Sequence, residues 1–464
     1  MVFSSLFFLF IFLPAVFLFY YLAPRKYRNF VLLFFSLLFY AWGEPVYLIL
    51  MLFSICVNFV CGLALEKHKA EKKIFRLIFL GSLFTNLGLL TFFKYGDFLL
   101  RTLNQLWGTS LGPLDLPLPI GISFYTFQVL SYVIDLYRGE ISAQRDLLNF
   151  ALYVSLFPQL IAGPIIRYQQ LASQLEERQE SFNGFGQGVQ HFIAGLAKKV
   201  LMANSVGHLW HEIQQIPPAE LTTLTAWLGI VAFALQIYFD FSGYSAMAVG
   251  LGKMFGFSFP ENFRYPYLAQ SITEFWQCWH ISLGSWFREY VYIPMGGNSV
   301  GKIKLFRNLL LVWLLTGLWH GASWNFVVWG LYYGLILIME KTFLLQLLEK
   351  LPGYVRHLYT CLLVLLGWVL FAFDKLSLGL SYIQVMFGMQ GQGLYNRETF
   401  YLFSTNAILL IILFFAATPL VSKLLQKIEF KAAILHAVLQ AIILVLATAY
   451  LVDASYNPFL YFRF

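Results

Sequence analysis

Between Arg307 and Glu340 the chain carries no charged side chain, yet His320 stands near the middle of that run, in LLLVWLLTGLWHGASWNFVVWGLYYGLILIM. An ionisable side chain inside a bilayer is costly and usually faces a protein interior or a water-filled cavity. Gly317 and Gly321 leave room beside it, and Trp313, Trp319, Trp324 and Trp329 would wall that room. A neutral imidazole in such a place accepts a proton, the work of a general base in a tunnel. The structural alternative is a histidine that bridges two helices by hydrogen bonds. This segment alone does not separate the two.

Other groups could do chemistry with less to recommend them. His280 lies beside Trp279 in a stretch that reads as interfacial, where a histidine often serves only as an anchor. Asp240, in LQIYFDFSGYSAMAVG, is a second intramembrane charge. It would cap a helix break at Ser242-Gly243, position a pantetheine-like donor or pair with an arginine, and structural pairing is the favoured reading. Lys198 and Lys199, in GLAKKVL, suit a phosphate-rich ligand on the cytoplasmic side, although taken alone snorkelling is the favoured reading. His208 and His211 are three apart but have no second ligand pair, so no metal is expected. Phosphate-loop, dinucleotide and serine-elbow motifs are missing.

The elements that must position these groups are membrane helices. Of 464 residues, 59% are hydrophobic, 19% aromatic and 12% charged, against about 25% charged in soluble domains. The net charge of +8 comes from short basic blocks beside apolar runs, which argues for cytoplasmic loops and against nucleic-acid binding. The first residues, MVFSSLFFLFIFLPAVFLFYYLAPRK, lack a basic leader and a small-residue cleavage site, and read as a first span. The basic blocks at 24–28 and 67–76 flank two hydrophobic stretches, 29–42 and 46–65. Both blocks can therefore be cytoplasmic, with the N-terminus outside. Further spans are expected near 74–94, 119–137, 148–163, 222–251, 306–339, 357–373, 399–418 and 432–452. Pro158, Gly163 and Pro164 predict a partly re-entrant element at 148–163. Residues 167–181 are too polar to span. Residues 272–297 put Trp276, Trp279, His280, Leu283, Phe287 and Tyr290 at helical spacing, as one helix lying in the headgroup region. The four cysteines read as reduced thiols. A single integral domain, 1–464, is expected.

PIGISFYTFQ, FPQLIAGPIIRY, LQIYFDFSGYS, SITEFWQCWHISLGSWFREYVYIPMGGN and LTGLWHGASWNFVVWGLYYG together resemble the membrane-bound O-acyltransferases, from about residue 119 to 335. The branch is that of bacterial alginate O-acetylation, with peptidoglycan O-acetylation and teichoic-acid D-alanylation proteins nearby. The resemblance implies an all-α polytopic bundle with a central tunnel, about 11 transmembrane spans, and re-entrant and interfacial helices. It also implies a histidine at the tunnel's waist. By motif, that histidine is His320, in Trp-His-Gly, and the second family histidine is His280, in Trp-His-Ile-Ser. Ala246, Gln277 and Cys278 depart from the family pattern and bear on donor-side contacts.

The resemblance implies acetyl-CoA as acyl donor, with Trp319, Asp240, Lys198 and Lys199 on the donor side and no metal. The expected partners are the lipid bilayer, an SGNH-type esterase-fold acetyltransferase outside the membrane, and an exported polysaccharide as final acceptor. The site is the bacterial inner membrane. The tail at 453–464 carries F-x-Y-x-x-F in Phe459-Leu460-Tyr461-Phe462-Arg463-Phe464. A similar motif in the D-alanylation branch presents its tyrosine as acyl acceptor, so Tyr461 is expected to carry acetyl, with the tail on the outer side. From Asp453 to Tyr461 is eight residues, about 26–29 Å extended, which exceeds half a bilayer core. A hydrophobic plug is the structural alternative for the tail. For the whole chain the rivals are transfer of D-alanyl or another acyl group directly to an external acceptor, and a non-enzymatic transporter.

Overall fold

The computed structural model describes residues 1–421, 423–424 and 433–453, so the tail with Tyr461 lies outside the described residues. Among those described, every regular element is helical. Among the described residues six helices are long and apolar enough to cross a membrane, and three shorter apolar ones accompany them. The chain resolves into two compact units.

The first unit comprises Met1–Phe192 and Ser245–Pro260. Pro14 has no amide hydrogen to give, and the helix leading to it widens into a π-type turn at Phe8–Phe12 before continuing as Leu13–Leu22. Two spans follow, Tyr47–Lys67 and Lys72–Trp107. Lipid offers these helices no hydrophobic reason to associate, so polar contacts must help hold them. The same spacing on both helices, Ser54 with Asn58 and Ser82 with Asn86, supplies those contacts. Asn58 Nδ2 donates to Asn86 Oδ1 at 3.0 Å, Asn86 Nδ2 returns a bond to Asn58 Oδ1 at 2.7 Å, and the Ser82 hydroxyl adds a third at 2.9 Å. The expected break near Pro158 is present. Leu147–Ser155 ends at an extended Leu156, and Phe157–Leu160 resumes before the chain turns, with residues 150–166 buried throughout.

A cluster of charge organises the loop end of this unit. The Tyr20 hydroxyl donates to Glu180 at 2.6 Å, Arg28 pairs with the same carboxylate at 2.9 Å, and Arg178 donates to the Tyr20 oxygen and to the Phe255 carbonyl. Burial acts against ionisation of Glu180, but the hydrogen bonds from Tyr20 and Arg28 outweigh it and hold the carboxyl below its ordinary value. A depressed folded-state pKa contributes stability above the usual carboxylate range, and that stability is lost as pH falls through the folded value. Glu180→Gln is therefore expected to lower the melting temperature at neutral pH and to flatten its fall on acidification. Thermal unfolding in detergent from neutral pH to about pH 3, below the ordinary glutamate value of about 4.3, checks this. Parallel wild-type and variant curves would mean that the pair contributes nothing.

The second unit is Ile193–Tyr244 together with the chain from Glu261 onward. Its axis is the helix that starts at Thr223, whose 22 residues as far as Tyr244 run about 33 Å, enough to cross a hydrocarbon core. Most of its apolar window is enclosed by protein, so it is an internal strut and not a lipid-facing span. Around it pack Gly353–Ala372, Leu376–Met386 and Arg397–Ala416, and an aromatic core that includes Trp210, Phe233, Trp329, Tyr333 and Trp368.

Candidate functional site

The apolar run expected as one stretch at 306–339 is two helices, Lys302–His320 and Trp324–Met339, packed along one another. Gly317 and Gly330 explain the close approach: a Cβ on either would come within 3.3 Å of the other's Cα and would strike a facing carbonyl. The chain reverses at Gly321, which is extended, and a side chain there would run into the Phe326 ring. Asn325 fixes the reversal, donating from Nδ2 to the Phe373 carbonyl at 3.0 Å. His320 is thus the last residue of the first helix, at the tip of a hairpin. It is 6% exposed, with ring centroids of Trp319, Trp329 and Phe371 at 5.0, 5.1 and 5.2 Å.

The stretch at 272–297 also differs from expectation. It breaks into Ile272–Cys278 and Ile281–Phe287, with His280 between them in the left-handed region at φ 45°. The physical reason lies in an extended segment that precedes it. Asn262 Oδ1 accepts from the Ser282 amide at 3.0 Å, from the Ser282 hydroxyl at 2.9 Å, and lies 3.2 Å from His280 Nδ1. The Asn262 carbonyl accepts from the Ile281 amide and the Arg264 amide donates to the Cys278 carbonyl, so backbone bonds clasp both sides of the break. The aromatic face expected against headgroups packs on protein instead: Trp276 meets Trp313 at 4.9 Å and Trp279 meets Trp368 at 4.9 Å.

These two breaks bring the histidines together. Both line one cavity of about 380 Å3 whose other walls include Trp276, Trp279, Trp313 and Thr316. Trp319 stands between them, its ring 5.7 Å from His280 and 5.0 Å from His320. An imidazole that offers a lone pair, in a largely apolar cavity, can take a proton from an incoming hydroxyl.

Of the donor-side candidates, Trp319 stands beside both histidines, whereas Lys198, Lys199 and Asp240 are not among the cavity's walls. Lys199 and Asp240 form an ion pair at 2.7 Å with side chains 2% and 3% exposed, and Asn204 accepts a further bond from the lysine. Such a pair is costly to break by removing one partner. Phe241, the next residue, packs edge-on against His280 at 4.7 Å, so the pair steadies a support of the second histidine. Lys198 is half-buried beside it. Tyr461 falls outside the described residues.

Three residues that hold this site escaped the sequence reading: Asn262, Asn325 and Glu340. Each is a polar side chain buried to 3% exposure or less, and only Asn325 stands between apolar neighbours in the sequence, whereas Asn262 follows Glu261 and Glu340 precedes Lys341. For Asn325 that contrast was the available signal, and it does not tell which distant backbone the side chain serves.

The signature of the membrane-bound O-acyltransferase family (MBOAT) matches residues 138–360, which contain both histidines. The chain is 42% identical over 392 residues to the probable alginate O-acetylase AlgI of Azotobacter vinelandii, covering 83% of this chain and 78% of that one. It is 38% identical to the protein of the same name from Pseudomonas putida over the full length of both. It is also 34% identical to the peptidoglycan O-acetyltransferase of Helicobacter pylori, over 85% of this chain and 81% of that one. With apolar helices able to span a membrane, two buried histidines in one cavity and relatives matched along most or all of their length, the chain belongs to the membrane-bound O-acyltransferase family and is a multi-pass O-acyltransferase.

Proposed function

We propose that this protein takes acetyl from cytoplasmic acetyl-CoA and passes it across the bacterial inner membrane for O-acetylation of an exported or cell-wall polysaccharide, alginate-type or peptidoglycan. The observation that carries the reading is the shared cavity of His280 and His320, in a chain similar along most of its length to alginate and peptidoglycan O-acetylating proteins. The working architecture is a bundle of about eleven passes around a central tunnel, with the N-terminus and the tail on the outer side.

In the proposed step His320 accepts the phenolic proton of Tyr461 while that oxygen attacks the thioester carbonyl. The carbon–sulfur bond then breaks, and the leaving thiolate takes the proton back from His320. His280 and Trp319 orient the reactants. Lys199 and Asp240 are paired with each other, and we regard that pair as a support of the fold, while Lys198 stays the candidate contact for the donor's phosphates. A thiol and a phenol have similar acidities, near 8.5 and 10, so a tyrosyl ester keeps much of the thioester's transfer potential. An SGNH-type esterase-fold partner outside the membrane would complete transfer to the sugar.

The test is mass spectrometry of the C-terminal peptide after incubation with acetyl-CoA, alongside thiol release. One acetyl on Tyr461, absent in Tyr461→Phe, supports the relay. Thiol release with an unmodified tail would replace it by direct transfer to an external acceptor. No thiol release with any acyl-CoA, D-alanyl donors included, would overturn the reading itself.

A further inference from the structure

We propose that Cys361 and His357 form a second, lipid-side acylation site, at which the thiol accepts a long acyl chain from an acyl thioester. The cavity that these two residues line shares no wall with that of His280 and His320.

Cys361 and His357 are four residues apart on the helix Gly353–Ala372, a spacing that brings side chains together on one face. Cys361 Sγ lies 3.5 Å from His357 Nε2, and His357 Nδ1 lies 3.3 Å from the Ala269 carbonyl oxygen. A carbonyl only accepts, so the neutral ring keeps its hydrogen on Nδ1 and turns the Nε2 lone pair toward the thiol. The three groups stand in the order nucleophile, base and orienting acceptor, which is what activation of a thiol requires.

The surroundings select the substrate. The pair lines a cavity of about 380 Å3 whose walls include Val231, Leu235, Val364, Leu365 and Phe414. An apolar cavity of about 150 Å3 takes one benzene ring, so this one has room for a chain of about a dozen carbons. Two other polar side chains of the lining are already engaged. The Tyr267 hydroxyl donates to the Ala234 carbonyl at 2.6 Å and accepts from the Trp368 indole at 3.1 Å, and the Thr418 hydroxyl donates to the Phe415 carbonyl at 2.7 Å. The thiol is the nucleophile that faces the base. Leu268 and Phe414, both exposed, also line the cavity, so it opens to the flank of two helices able to span a membrane, Gly353–Ala372 and Arg397–Ala416. That flank faces lipid. His357 and Cys361 are four and eight residues from the helix start, about 6 and 12 Å along it, and Lys350 and Arg356 mark that start as cytoplasmic. An amphiphilic thioester entering from that leaflet brings its carbonyl to the thiol and its chain into the cavity.

In the step itself Sγ attacks the thioester carbonyl while His357 Nε2 takes the thiol proton. The carbon–sulfur bond to the departing group breaks, and that thiolate takes the proton back from His357. The products are a Cys361 thioester and a free thiol, with no change of oxidation state.

The experiment incubates the full-length protein in nanodiscs with dodecanoyl-CoA and follows acylation of each cysteine by mass spectrometry of its peptide. Cys56, exposed on Tyr47–Lys67, is the internal reference. Cys361 is expected to react at least tenfold faster than Cys56. His357→Gln should slow Cys361 at least tenfold and leave Cys56 unchanged, because it removes the base and not the access. Leu365→Trp, which narrows the cavity, should slow dodecanoyl transfer to Cys361 at least tenfold and leave acetyl transfer to the same thiol nearly unchanged. Acylation of Cys361 no faster than that of Cys56, or an unaltered rate in His357→Gln, would overturn the site. Equal losses for both donors in Leu365→Trp would reject the cavity as the seat of the chain. The comparison of two cysteines within the wild-type protein decides the matter even where a variant fails to fold.

Discussion

His320→Ala is expected to lower acyl transfer by about 10²–10⁴-fold with the donor KM little changed, because general-base assistance acts in the transition state and not on binding. The side chain is also a wall, packed edge-on against Trp319, Trp329 and Phe371, so the alanine leaves a void beside three aromatic rings. A void of that kind costs a few kcal/mol and could lower activity by itself. His320→Gln fills most of the volume but has no comparable basicity, and should be nearly as slow as the alanine variant while melting close to wild type. Added imidazole should restore part of the rate to His320→Ala. A glutamine variant within a few-fold of wild type, or losses that track melting temperature across both variants, would return His320 to a structural role. His280 needs a different control, because its backbone sits in the left-handed region, where asparagine is comfortable. His280→Asn keeps that conformation and removes the imidazole, so a loss confined to rate would mark the ring and not the bend.

His320 could be found from the sequence because an ionisable residue in a charge-free run of this length has few structural excuses. The break near Pro158 was also local knowledge, since proline and glycine announce it. The two breaks that build the cavity were not. Trp276, Trp279, His280, Leu283, Phe287 and Tyr290 keep helical spacing straight through the bend, so periodicity predicts one unbroken helix. What bends it is the Asn262 side chain, eighteen residues earlier, paired to Ser282. The hairpin tip is similar: Gly321 reads as a small residue beside a histidine until Phe326 folds back against it. Both cases are tertiary contacts overriding a local pattern, and both place functional side chains at helix ends, where backbone direction can change. Gly317 shows the limit from the other side. The sequence offers it as room beside the histidine, and the structure uses it as room for the returning helix.

Glu340 supports the second large effect. The sequence marks it only as the end of an apolar run, yet it is 1% exposed and its carboxylate receives four hydrogen bonds. The Ile272 amide and the Tyr359 hydroxyl reach one oxygen at 2.8 and 3.1 Å, and the Thr273 amide and hydroxyl reach the other at 2.8 and 2.6 Å. An anion at a helix start also meets the positive end of the helix dipole. Glu340→Gln would turn an amide NH2 toward groups that are themselves donors, leaving buried N–H or O–H groups without acceptors at about 1–3 kcal/mol each. The helix that loses its anchor carries Trp276 and leads into Trp279 and His280. Glu340→Gln is therefore expected to lower the melting temperature by several degrees and activity by at least tenfold, and Glu340→Leu to do worse. Ser271 still caps the helix through the Glu274 amide, and the indole contacts to Trp313 and Trp368 remain. Those contacts hold the helix in place but do not supply an acceptor for its first amides, so they should preserve the fold more than the rate. A change in the near-ultraviolet signal of the tryptophans, together with a kcat loss larger than the KM change, would show the cavity displaced and not dissolved. Full activity in Glu340→Gln at unchanged melting temperature would mean that the aromatic contacts alone set the position of His280.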